Sequence, residues 1–129
     1  MQMRMELQTL LEEIQTVANE TPHVYFEPPE SVKMVYPCFV YSFSGYSTVG
    51  ADDAVYLESE EYNVTYITKK ADPVIPKALK DLNHVTFDRR YVAENLHHFV
   101  FRFRSMLQKK SEEIDLREIT TSFLGGNND

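Results

Sequence analysis

The chain reads as an α+β domain: a mainly antiparallel four-stranded sheet with two helices packed on one face, plus a C-terminal extension. Three observations predict this class. Apolar residues recur at helical spacing over residues 3–18, and they alternate with polar ones over residues 56–68 and again over 85–104. A short amphipathic segment separates the two β regions, so the element order is α–β–β–α–β–β. At 129 residues and 15.1 kDa the chain suits one domain large enough to bury a core.

The first helix rests on Met3, Leu7, Leu10, Leu11, Ile14 and Val17, with Glu6, Gln8, Glu12, Glu13 and Gln15 between them. Asn19 and Thr21-Pro22 end it, because proline drives the preceding residue out of the helical region. Val24-Tyr25-Phe26 is a short apolar patch cut off by Glu27-Pro28-Pro29. A strand follows over Cys38–Phe43, with Pro37 at its start because proline has no ladder donor. Gly45 and Gly50 bracket a polar stretch running to Asp53, which reads as a mobile or partner-ordered loop.

The clearest strand is Tyr56–Thr68, where Tyr62, Val64 and Tyr66 point one way and Glu61, Asn63, Thr65 and Ile67 the other. Asp72-Pro73 reads as a helix N-cap with proline in first position, ahead of Ile75, Leu79 and Leu82. Pro76 is tolerated because it falls in the first turn. Val85, Phe87, Arg89 and Tyr91 alternate in the third strand, and Ala93-Glu94-Asn95 makes a turn. In the fourth strand Phe99, Phe101 and Phe103 share one face, and His98, Val100, Arg102 and Arg104 the other. Residues 1–104 form the domain. Residues 105–129 form a C-terminal arm with sparse apolar residues, which reads either as a frayed tail or as an arm that orders on a neighbouring subunit, with Ile114, Leu116 and Thr120 as an added strand.

Thirteen Lys+Arg stand against twenty Asp+Glu, a formal charge of −7. A nucleic-acid clamp needs a positive footprint, so this balance speaks against one. The N-terminus carries charge where a secretory leader would be apolar, and no apolar run reaches the ~18 residues of a membrane helix. The expectation is a soluble, intracellular-type protein. Cys38 is the only cysteine, which leaves no internal disulfide and fits a small buried hydrophobe.

Catalytic and metal signatures are weak. His97 and His98 are adjacent on a strand, so they face opposite ways, and His23 and His84 sit at element ends; the expectation is no metal and no cofactor. No nucleophile elbow or glycine-rich phosphate loop is present. Asp52-Asp53 and Glu58-Ser59-Glu60-Glu61 are the carboxylate pairs an acid–base enzyme would use, but they fall on a loop and an exposed strand face. Arg89, Arg90, Arg102 and Arg104 are the one basic concentration. Set against Glu58, Glu60 and Glu61 of a neighbouring copy, they make a head-to-tail subunit interface that can close into a ring.

Three stretches carry a family likeness: Tyr36-Pro37-Cys38-Phe39-Val40-Tyr41; Tyr62–Ile67 leading through Asp72-Pro73 to Ile75-Pro76; and Phe87–Phe101, with its Ala-Glu-Asn-Leu-His-His run. Together with Ala51-Asp52-Asp53 ahead of Tyr56, their order and spacing resemble the tail-completion (tail terminator, tail-to-head joining) proteins of bacteriophages with long non-contractile tails. The likeness covers about residues 33–103. It implies a small α+β protomer in a homohexameric ring. Such a ring caps the tail tube, ends its polymerisation and joins the tail to the head-completion or connector protein. DNA passes through its lumen without specific binding. It implies no enzyme activity and no cofactor, and a location in the virion neck after assembly in the host cytoplasm. The chain departs from the family in its acidic Glu58–Glu61 run and its longer C-terminal segment. Within this frame, Ser44, Gly45, Gly50, Asp52 and Asp53 are expected to face the tail tube or the lumen. A different head–tail adaptor of the neck, or a small carboxylate-dependent enzyme, are the alternatives.

Overall fold

The apolar stripe of the N-terminal segment needs a surface to cover, and the alternating strands supply one. The computed structural model describes residues 2–50 and 56–107. In order, the elements are α1 (Gln2–Val17), β1 (Val24–Phe26), β2 (Cys38–Gly50), β3 (Tyr56–Thr68), α2 (Val74–Leu79), β4 (Val85–Ala93) and β5 (Leu96–Leu107). The strands form one sheet in the order β1-β2-β3-β5-β4. All neighbours are antiparallel except β1, which runs parallel to β2.

The fold is therefore α+β with both helices on one face, but the sheet has five strands and is mixed. The fifth strand is Val24–Phe26, three residues long, which pairs Val24 with Phe39 and Phe26 with Tyr41. A segment this short, followed by Pro28-Pro29, has too little alternation to register as a strand. Its pairing comes from the chain crossing over through residues 27–37 to enter β2 in the same direction.

The core is built in rungs across β2, β3 and β5. Phe39, Tyr66 and Phe99 form one, Tyr41, Val64 and Phe101 the next, and Phe43, Tyr62 and Phe103 the third. Leu7, Leu10, Leu11 and Ile14 of α1, with Ile75 and Leu79 of α2, close over these rungs in a single cluster. Neighbouring rings meet tilted or edge to face, Phe39 on Tyr66 at 5.1 Å and Phe43 on Tyr62 at 5.4 Å between centroids, which is the arrangement ring quadrupoles favour.

α1 stops where Asn19 turns left-handed (φ 65°) and the Glu20 N–H donates to the Gln15 carbonyl at 2.8 Å. α2 does not start as expected: Pro73 is the N-cap residue and makes no side-chain cap bond. Asp72 instead pairs with Lys77 at 3.0 Å in solvent. Proline in the capping position sets the entry φ, and the Asp72 carboxylate is drawn to the ammonium one turn on. Pro76 does fall in the first turn, where its missing N–H leaves no bond unmade.

Two bulges reshape the expected alternation. The register shifts between Phe87 and Arg89, so Asp88 is an extra residue. Phe87 stays on the core face, opposite Phe101, while Arg89 and Tyr91 pair with Val100 and His98 on the other face. The four residues therefore do not share a side. The second bulge lies between Phe43 and Gly45, with Ser44 as the extra residue and Gly45 at φ 148°. A Cβ on Gly45 would meet nothing within 4 Å, so glycine is needed there for its backbone conformation and not for space.

Candidate interaction surface

The strands β2 and β3 are 13 residues each and outlast the core they serve. Their last core rung is Phe43–Tyr62, yet pairing continues from Gly45–Glu61 to Gly50–Tyr56. β5 accompanies them from Arg104 to Leu107. This makes an arm in which β2 and β3 run roughly 20 Å beyond the last core rung, three-stranded over its first ~13 Å. The polar stretch expected as a loop is thus partly strand: Ser44, Gly45 and Gly50 all lie in β2. Its serines and glycines hid the strand, because they carry no period-two apolar signal while the main chain pairs with β3. Asp52 and Asp53 lie outside the described residues. β5 runs three residues past Arg104, to Leu107; Ile114, Leu116 and Thr120 lie outside the described residues.

The structure divides the acidic run. Glu60 and Glu61 point to opposite faces of β3. Glu60 is buried on the core side, where it accepts the Tyr62 hydroxyl at 3.0 Å. Glu61 pairs with Arg104, directly across on β5 of the same chain, with 3.1 Å between Nε and Oε2. The backbone of Glu58 pairs with Leu107. Glu60 and Glu61 thus each meet a partner within the chain, because Tyr62 shares the core face of β3 and Arg104 stands on the adjacent β5.

The arginines are also mostly occupied. Asp88 holds Arg89 at 2.8 Å and reaches Arg102 at 3.8 Å. Arg90 differs. It stands over the Phe99 ring at 5.4 Å and donates to His97 Nδ1 at 2.8 Å, and among the described residues no carboxylate pairs with it. His97 and His98 do face opposite ways, the latter stacked on Tyr91 at 4.5 Å. Among the described residues no three His, Cys, Asp or Glu side chains are grouped to share an ion. No described helix is long and apolar enough to cross a membrane.

The β4 edge is the most open part of the sheet. Every residue from Thr86 to Ala93 is exposed, including Phe87, Tyr91 and Val92. At the opposite edge, Met5 and Val35 are exposed beside β1. The Arg4 guanidinium joins Met5 to this edge, since it contacts the Met5 sulfur at 3.1 Å and covers the Phe26 ring at 4.6 Å. Tyr25 of β1 joins Val35, accepting its N–H at 3.1 Å. Sequence reasoning missed this second patch because its residues come from α1 and from the crossover after β1, elements that the sequence pattern does not bring together.

Comparison with protein-family models and with curated proteins finds no match to the chain.

Proposed function

We propose that the chain is a non-enzymatic virion assembly protein of the tail-completion type. Copies form a homo-oligomeric ring that caps the tail tube, ends its growth and meets the head connector, with DNA passing through the lumen. The observation that carries this reading is the arm. A 15.1 kDa protein that extends three paired strands past its last core rung devotes backbone order to something beyond its own core. A ring subunit that must grip a tube below it has a use for such an extension of its sheet. The likeness over residues 33–103 gives the reading its particular form. The acidic balance of −7 per copy suits a lumen that DNA phosphates slide past without sticking.

Electron microscopy of the purified chain, alone and mixed with tail tubes, tests it. Rings of one fixed copy number, seated at tube ends, are expected. Tubes that elongate normally with no density at their ends would contradict it.

A further inference from the structure

We infer that successive copies join head to tail, the β4 edge of one against the β1 edge of the next. The ring geometry this serves rests on the function proposed above. The contact itself rests on the two edges.

The β4 edge offers Phe87, Arg90 and Val92 on the core side and Arg89 and Tyr91 on the other, with Arg102 beside them on β5. Asp88 and Glu94 are the acids on this side, and Asp88 is already shared between two arginines. The β1 edge offers Met5 and Val35, with Glu12, Glu27 and Glu30 exposed around them. Glu12 belongs to this edge because it accepts from Gln8 Nε2, which also reaches the Val24 carbonyl of β1. Glu27 follows β1 directly and accepts the Phe43 N–H with its carboxylate. Arg4 is turned inward onto Phe26, which leaves Lys33 as the exposed base of this edge. The two edges thus carry charge of opposite dominant sign, with exposed apolar side chains on both faces of each. Charge of this kind sets register and steers one edge to the other.

The edges lie at opposite ends of a five-stranded sheet, roughly 19 Å apart. A surface that meets its complement at the far end of an identical copy makes a heterologous contact, which propagates and closes into a ring when the rotation permits. Main-chain strand addition at β4 is disfavoured, because the Asp88 bulge and the adjacent arginines blunt that edge. The contact is made by side chains. It also supplies the acid that the structure withholds elsewhere: with Glu61 committed to Arg104, Arg90 finds its carboxylate on the next copy.

The test is a charge swap in the full-length chain. Arg89→Glu with Arg90→Glu makes one variant; Glu12→Lys with Glu30→Lys makes the other and leaves Glu27 on the Phe43 N–H. Circular dichroism and thermal melts establish that each is folded. Each variant alone is expected to lose assembly by on the order of a hundredfold in dissociation constant. An equimolar mixture is expected to recover it, because swapped and native contacts can then alternate around a ring of even copy number. Variants that assemble like the parent, or a mixture of dissociated variants that fails to recover, would overturn the contact while leaving a ring made through other surfaces intact. Parent chains that form open, polydisperse filaments, still sensitive to the swap, would uphold the contact and overturn the ring.

Discussion

Gln15 is a helix residue with no exposed surface, and its amide ties three segments together. Its Oε1 accepts the His23 N–H at 2.7 Å, and its Nε2 donates to the Pro37 carbonyl and to Glu20, each at 3.1 Å. The Tyr66 hydroxyl donates to the other oxygen of Glu20, which extends the network into the core. Among the described residues, every buried side-chain polar atom has a partner. Replacing Gln15 with leucine keeps the volume but strands the His23 N–H and the Pro37 carbonyl, and should cost about 2–3 kcal/mol in urea unfolding. The tyrosines predict a pH dependence. Burial, and next the Glu20 hydrogen bond, push the Tyr66 phenol above its ordinary value of 10.0; burial and the Glu60 hydrogen bond do the same for Tyr62. Above pH 10 the unfolded chain ionises these phenols while the folded chain keeps them neutral, so the unfolded state binds fewer protons. Their contribution to stability is whole below pH 10 and falls as the pH rises past it. Tyr66→Phe should flatten that fall, measured as the pH dependence of the unfolding midpoint. Cys38 acts in the same direction from a lower start, its thiol pushed from 9.0 up to about 12 by burial.

At the scale of elements, the turn joining β4 to β5 falls where the sequence places it, at Ala93-Glu94-Asn95. Glu94 and Asn95 are the two turn residues, with φ of 52° and 64°. A two-residue turn with both φ positive matches the right-handed twist of its strands, and it favours asparagine followed by glycine. Glu94→Asn combined with Asn95→Gly should therefore raise stability by about 0.5–1 kcal/mol, read from thermal or urea melts. The turn was legible because its residue types are local signals. The strand alternation of β3 and β5 was legible for the same reason, as was the burial of Cys38. The bulges at Ser44 and Asp88 were not, because an extra residue in a ladder is defined by the partner strand. β1 was missed because three residues carry no period. The division of Glu60 from Glu61 was already implied by β3 alternation. Their true partners, Tyr62 in the core and Arg104 across the sheet, depended on β3 lying beside β5, and sequence order does not reveal that neighbour.

At the scale of the molecule, a sheet with helices on one face leaves one cationic, partly apolar edge and one acidic, partly apolar edge. The sequence showed that positive and negative charge were segregated and pointed to contact between copies. With Glu60 and Glu61 partnered inside the chain, the contact proposed above draws its acids from the β1 edge. Two edges of opposite charge are what the proposed lateral association uses, and that association is the central proposal. Native mass spectrometry of the full-length chain at micromolar concentration tests that most directly. The account predicts a dominant species of one fixed multiple of 15.1 kDa, with an even copy number; a spectrum holding only the 15.1 kDa species would contradict it.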